Sequence, residues 1–168
     1  MNNHYDLITI GGGSGGLAVA EKAAALGKRV AIVEAKKLGG TCVNAGCVPK
    51  KIMWQAAQLA TAVSDAPDFG INVKNLGINW SHLIAGRDRY IRDINRYWGS
   101  YIEQQGINRI NGFAKFTAAH TIEVEGKSYT ANHIVIATGG QPIVPPVQGA
   151  GFKPRYHLRW ILPTRTAT

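Results

Sequence analysis

Five glycines and one serine fill positions 11–16, and the segments flanking them leave few folds open. Tyr5 to Ile10 is a short apolar run of the kind that forms a buried parallel strand. Leu17 to Leu26 is alanine-rich, with high helix propensity, and Gly27 stops it. Arg29 to Val33 is a second apolar strand that ends on Glu34. Strand, glycine turn, helix and strand in about 30 residues make a βαβ unit, which predicts an α/β fold built on a parallel sheet.

The spacing Gly11-x-Gly13-x-x-Gly16 fits a dinucleotide fingerprint. The glycines allow a tight turn, close backbone approach to a pyrophosphate, and helix-to-strand packing. A helix starting near Ser14 aims free N–H groups at the phosphates. Glu34, 18 residues past Gly16, stands where an acid bonds a ribose 2′-hydroxyl and repels a 2′-phosphate. FAD or NAD therefore suits this turn, and NADP does not.

Further along, Pro49 sits in the first turn of a helix that runs on through Met53, Ala57 and Ala60. Residues 67–79 read as a long surface connection. Trp80, Leu83, Ile84, Arg87, Tyr90, Ile91, Ile94 and Trp98 recur at helical spacing, the mark of an amphipathic helix. Short alternating runs over 108–131, separated by Gly112 and Gly126, suggest a small antiparallel meander. His133 to Ala137 reads as another buried strand, ending at Thr138-Gly139-Gly140. No internal repeat is visible.

Both cysteines lie within Gly39-Gly40-Thr41-Cys42-Val43-Asn44-Ala45-Gly46-Cys47-Val48-Pro49-Lys50-Lys51. So close a pair suggests metal binding or redox chemistry. Without a nearby histidine or further cysteine, no zinc or other metal site is expected. A regular helix holds residues five apart too far from each other for a disulfide, so Gly46 is expected to sit in a distorted first turn that joins the sulfurs. Cys47 would then lie at a helix N-terminus beside Lys50 and Lys51, which favours thiolate. The plain alternative is two buried thiols without chemistry.

With 45% hydrophobic and 17% charged residues the 168-residue chain reads as globular. It has no apolar run long enough to span a membrane and no secretory signal at its start, so a cytoplasmic protein with no membrane partner is expected. The formal charge of +9 would suit a nucleic-acid binder, but Lys153, Arg155, Arg159 and Arg165 in the acid-free segment 151–168 supply +4 of it. No nucleic-acid partner is expected.

Gly39 to Trp54 closely resembles the signature of the glutathione reductase family, and its Lys-Lys ending separates it from the lipoamide dehydrogenase and mercuric reductase pattern. The likeness extends through Trp80, Arg87-Asp88-x-Tyr90-Ile91 and Ala137-Thr138-Gly139-Gly140-x-Pro142, covering residues 4–150. This resemblance implies a Rossmann-like FAD-binding domain at residues 1–150. It implies FAD held by Gly11, Gly13, Ser14, Gly15, Gly16, Glu34, Thr41, Cys42, Lys50, Ala114, Thr138 and Gly139. Cys47 would face the flavin, Cys42 would attack the substrate disulfide, and Lys50 would stand near flavin N5. Electrons would pass from NADPH to FAD, to a Cys42–Cys47 disulfide, and on to a glutathione-type disulfide, in a homodimer. Ser14 and Tyr97 match substrate-side positions.

Two departures stand out. Where well-known glutathione reductases carry an arginine for the substrate's glycyl carboxylate, this chain has Glu21, in a stretch (Leu17-Ala18-Val19-Ala20-Glu21-Lys22) that resembles glutathione amide reductase, whose substrate is amidated at that end. A solvated helix glutamate is the alternative. Second, the family continues after Gly149-Ala150 with Ile-Thr-Ser-Asp-Gly-Phe. Codons can be written for Pro154–Leu162 that read, one base on, as Arg-Asp-Ile-Thr-Ser-Asp-Gly-Phe. A frameshift between Ala150 and Arg155 is therefore expected, making 151–168 an off-frame tail. On that reading the domain is truncated, the NADPH site and dimer interface are absent, and the fragment alone is inactive. The rival is a non-catalytic flavin- or nucleotide-binding module.

Overall fold

The computed structural model describes residues 3–141, Ile143, Pro146 and Val147, so Pro142 and the 151–168 tail lie outside the described residues. Strand β1 (His4–Ile10), helix α1 (Ser14–Ala25) and strand β2 (Val30–Glu34) form the expected βαβ unit. The strands pair in parallel, with Leu7 opposite Val30 and Ile10 opposite Val33. Val30 to Val33 are buried one after another, as a parallel strand covered on both faces requires.

Helices α2 (Gly40–Ala45), α3 (Cys47–Asp65) and α4 (Trp80–Gln104) follow, then strands β3 (Asn108–Asn111), β4 (Ala114–Ala118), β5 (Thr121–Val124) and β6 (Lys127–Ile136). All six strands join one sheet in the order β3-β2-β1-β6-β5-β4. Alternation along the strands divides the interior. Ile8, Ala31 and Val33 pack with Ile110, Ile122 and Val124 in one cluster. Val30 and Ile32 pack in the other with Leu17 and Ala20 of α1 and Ile102 of α4. The architecture is α/β, a mixed sheet flanked by helices, consistent with a Rossmann-like FAD-binding domain.

Two expectations need correction. β3 is not part of the antiparallel meander: it pairs in parallel with β2, Ala31 opposite Asn108 through Glu34 opposite Asn111. Its pattern of one buried isoleucine among polar residues suits an edge strand of either direction. Nor is 133–137 a separate buried strand. β6 runs unbroken from the meander into the parallel sheet, pairing antiparallel with β5 over Lys127–Thr130 and parallel with β1 out to Ile136. Beyond Ala131 no described strand flanks its far side, and Ile136 is 66% exposed. The β5–β6 hairpin closes on two residues with positive φ, Glu125 at 47° and Gly126 at 74°, the twist that matches a two-residue turn.

α4 starts where Asn79 Oδ1 accepts the His82 backbone N–H at 3.0 Å, a side-chain N-cap. Its inner face buries Ile84, Arg87, Ile91 and Ile102. Tyr90, expected on that face, is 56% exposed, because it lies about 100° around the helix from Ile91. The buried Arg87 guanidinium bonds Asp88 Oδ1 through Nη2 at 2.8 Å and Nε at 3.0 Å. The 67–79 connection opens with a 3-10 turn, Ala66–Phe69, and is otherwise irregular.

Among the described residues no helix is long and apolar enough to cross a membrane.

Candidate functional site

The site is built on the turn between β1 and α1. Gly11 has φ 110°, and a Cβ there would strike the Ala137 carbonyl at the end of β6. A Cβ at Gly16 would strike the Gly11 carbonyl, so both positions demand glycine if β1, α1 and β6 are to meet. α1 begins at Gly13 with no side-chain cap and no acid in its first turn, leaving that turn available to an anion. Ser14 and Gly15 lie exposed at its start.

Glu34 closes one side of this cradle. Its Oε2 accepts the Gly12 backbone N–H at 2.8 Å and its Oε1 accepts that of Lys36 at 2.7 Å. Each oxygen keeps a lone pair for a hydroxyl donor. The Gly112 N–H donates to the Glu34 carbonyl at 3.3 Å, which brings the start of β4, and with it half-buried Ala114, to the same end. Thr138 and Gly139 lie exposed beyond the Ala137 carbonyl that Gly11 packs against. A glycine turn and an uncapped helix end to donate, with a terminal acid to accept, are the groups a dinucleotide needs, and FAD fits them.

α2 sits directly on this turn. A Cβ at Gly40 would come within 2.7 Å of the Gly13 Cα, and the Gly39 N–H bonds the Gly12 carbonyl at 2.8 Å. α2 thereby presents Thr41 and Cys42 beside the cradle. Gly46 does not lie in a distorted first turn as expected. It separates two helices, at φ −139° and ψ −109°, where a Cβ would sit 2.9 Å from the Thr41 carbonyl. Cys47 then opens α3, and buried Pro49 occupies its first turn, where a missing N–H costs nothing.

Cys42 and Cys47 are both exposed, which removes the alternative of two buried thiols. The Cys42 thiol shares a hydrogen bond with Cys47 that raises it above its ordinary 9.0; partial burial and the neighbouring sulfur's charge act the same way. The Cys47 backbone N–H and the Lys50 cation pull in the opposite direction. Cys42 thus keeps its proton to higher pH, with Cys47 and Lys50 the neighbours that act on it.

Glu21 is half-buried on α1, and its carboxylate accepts a hydrogen bond from the Tyr101 phenol on α4. Tyr97 stacks on Tyr101 with ring centroids 5.7 Å apart. Glu21 and Tyr97, each read from the sequence as a substrate-side position, are therefore linked through Tyr101, a residue that reading missed; the only signal was the four-residue spacing of the two tyrosines. Ser14 lies about 10 Å further along α1 by helical rise. Asn44 and Asn95, which tie α2 to α4, were also missed. Among the described residues no His, Cys, Asp and Glu cluster could hold a metal.

The chain matches the family described as pyridine nucleotide-disulphide oxidoreductase over residues 5–161. It is 42% identical over 152 residues to a glutathione reductase of Nostoc sp. (strain PCC 7120 / SAG 25.82 / UTEX 2576), covering 90% of this chain and 33% of that protein. It is 40% identical over 163 residues to a glutathione reductase of Yarrowia lipolytica (strain CLIB 122 / E 150), covering 89% of this chain and 35% of that one. It spans about a third of the length of these curated relatives. The chain belongs to the pyridine nucleotide-disulphide oxidoreductase family, and within it sides with the glutathione reductases.

Proposed function

We propose that these residues form the FAD cradle and dithiol of an enzyme that reduces a glutathione-type disulfide with electrons from NADPH. The observation that carries this is the pair of exposed cysteines either side of the α2–α3 junction, on a segment whose Gly39 and Gly40 pack against the glycine turn. Gly11, Gly13, Ser14, Gly15 and Gly16 receive the pyrophosphate, Glu34 the ribose, Ala114 the adenine end, and Thr41, Thr138 and Gly139 the flavin end. When bound, FAD carries electrons from NADPH to the Cys42–Cys47 disulfide, and Lys50 offers a cation on that path.

The thiol chemistry belongs to the chain itself. Cys42, deprotonated, attacks one sulfur of the substrate disulfide, forming a mixed disulfide and expelling the first substrate thiolate. Cys47 then attacks Cys42 Sγ, closing the Cys42–Cys47 disulfide and releasing the second thiolate. Two electrons leave the dithiol and two substrate thiols form once protons are taken up. The NADPH site and homodimer contacts are assigned to the two thirds of the relatives' length that this chain does not span. On this reading the 168 residues alone do not turn over.

The test is made in the enzyme completed to the length of its relatives. Cys42→Ser and Cys47→Ser should each abolish disulfide reduction while FAD stays bound, and only Cys47→Ser should remove the long-wavelength thiolate-to-flavin absorbance. Disulfide reduction retained in Cys42→Ser would overturn the assignment. FAD bound by a chain without thiol chemistry would favour a non-catalytic binding module.

A further inference from the structure

α2 is six residues long, lacks a side-chain cap, and buries Val43 alone. So short a helix does not hold itself in place. Two amides fix it instead. Asn44 Nδ2 donates to the Leu38 carbonyl at 3.0 Å and to the Gly40 carbonyl at 2.9 Å. Asn95 Nδ2, from the middle of α4, donates to the same Leu38 carbonyl at 2.9 Å and to Asn44 Oδ1 at 3.0 Å. Four bonds thus converge on the turn that leads into Cys42.

The direction of the Asn95 amide is settled by its surroundings. Both neighbours on its nitrogen side are pure acceptors, a carbonyl and Asn44 Oδ1, so turning the amide over would set oxygen against oxygen. Asn95 Oδ1 is buried and has no partner among the described residues. The side chain gives up one of its own bonds to make the two that reach α2, leaving an acceptor desolvated at a cost. Neither amide carries charge, so their influence on the thiols acts through placement.

We propose that Asn95, with Asn44, is a positioning residue that sets the oxidation equilibrium of the Cys42–Cys47 pair. The proposal rests on the reading of that pair as a redox dithiol. A disulfide forms only over a narrow range of sulfur separation and dihedral angle. Cys47 opens α3, whose buried Pro49 anchors the first turn, while Cys42 rides on α2. The amide clamp holds the second element against the first, so releasing it lowers the effective concentration of one thiol at the other. The disulfide then becomes easier to reduce.

The test uses the 168-residue chain equilibrated in dithiothreitol redox buffers, with the disulfide fraction read by alkylation and mass. Asn95→Ala and Asn44→Ala should each shift the equilibrium toward the dithiol by about tenfold, about 30 mV. Because they share one network, the double variant should shift it little further than either single one. Asn108→Ala, which removes an amide bond to the Tyr5 hydroxyl away from α2, should lower Tm and leave the equilibrium unmoved. If Asn95→Ala does not fold, Asn95→Asp keeps the shape, loses the donor and should show the same shift. A lower Tm with an unchanged equilibrium in Asn95→Ala or Asn95→Asp would overturn the proposal. Failure of the unsubstituted chain to form the disulfide in any buffer would overturn the redox reading itself.

Discussion

The phenol of Tyr101 donates a hydrogen bond to the carboxylate of Glu21, joining the last turns of α4 to α1. That bond first, then partial burial, then the charges of Glu21 and Tyr97, hold the phenol above its ordinary 10.0. A tyrosine raised in the fold keeps its proton longer there than in the unfolded chain. Its contribution to stability is whole below pH 10.0 and is lost as pH rises through the folded value. Tyr101→Phe should therefore lower the urea midpoint at pH 8 and make the further loss above pH 10 shallower than in the unsubstituted chain. Glu21→Gln should bring one tyrosine titration, followed by ultraviolet absorbance, back down toward 10.0.

On the proposed function, the same pair bears on substrate choice. A carboxylate fixed by Tyr101 presents negative charge where an arginine would attract a substrate carboxylate. At a partly exposed site such a charge interaction is worth about 1 kcal/mol, so exchanging its sign shifts preference by about tenfold. In the enzyme completed to the length of its relatives, kcat/KM should favour amidated glutathione disulfide over the free acid. Glu21→Arg should erase or reverse this, mainly through KM, since the group is remote from the reacting sulfurs. Equal use of both substrates, unchanged in Glu21→Arg, would leave Glu21 with Tyr101 as its only business.

Cys42 should alkylate with iodoacetamide along a pH curve whose midpoint lies above 9.0. Lys50 lowers that midpoint, so Lys50→Met should move it further up and slow alkylation at any fixed pH below it. Cys47→Ala removes the hydrogen bond that is the largest cause of the rise, and should bring the Cys42 midpoint down. Mass spectrometry of timed alkylation resolves the two cysteines.

Glu34 accepts two backbone N–H groups with two carboxylate oxygens. Glu34→Gln keeps the shape but turns one donor, the amide nitrogen, toward a backbone N–H. The loss should be about 1–3 kcal/mol in urea denaturation. On the proposed function FAD affinity should fall as well, because the turn and the group assigned to the ribose are disturbed together. Unchanged stability would mean that the carboxylate does not organise the turn.

The βαβ unit was legible because its signals agree. Apolar runs, alanine-rich helix, glycine spacing and terminal acid fall in register over Tyr5–Glu34. α2 was not legible: six residues that begin at the second of two glycines with positive φ are too few to show a period, and its placement depends on Asn95, fifty-one residues beyond Asn44. The direction of β3 was hidden because alternation records which face is buried and says nothing of the neighbour's direction. The extent of β6 was misjudged where polar Asn132 and His133 interrupt the pattern; both are exposed, and backbone pairing to β1 carries the strand through them. Tyr101 escaped because its bond to Glu21 joins two helices that no local pattern relates.

One small turn governs more than its own hairpin. Glu125 and Gly126 fix which residues of β5 and β6 face each other, Val124 against Lys127 through Thr121 against Thr130. Since β6 is a single strand, that choice also sets which residue reaches its far end. A slip of one position at the hairpin would reverse the facing of every side chain downstream. It would also carry the Ala137 carbonyl away from Gly11, removing the floor on which the glycine turn rests. Damage at Gly126 should thus be felt as lost nucleotide affinity at the opposite end of the strand, ten residues away.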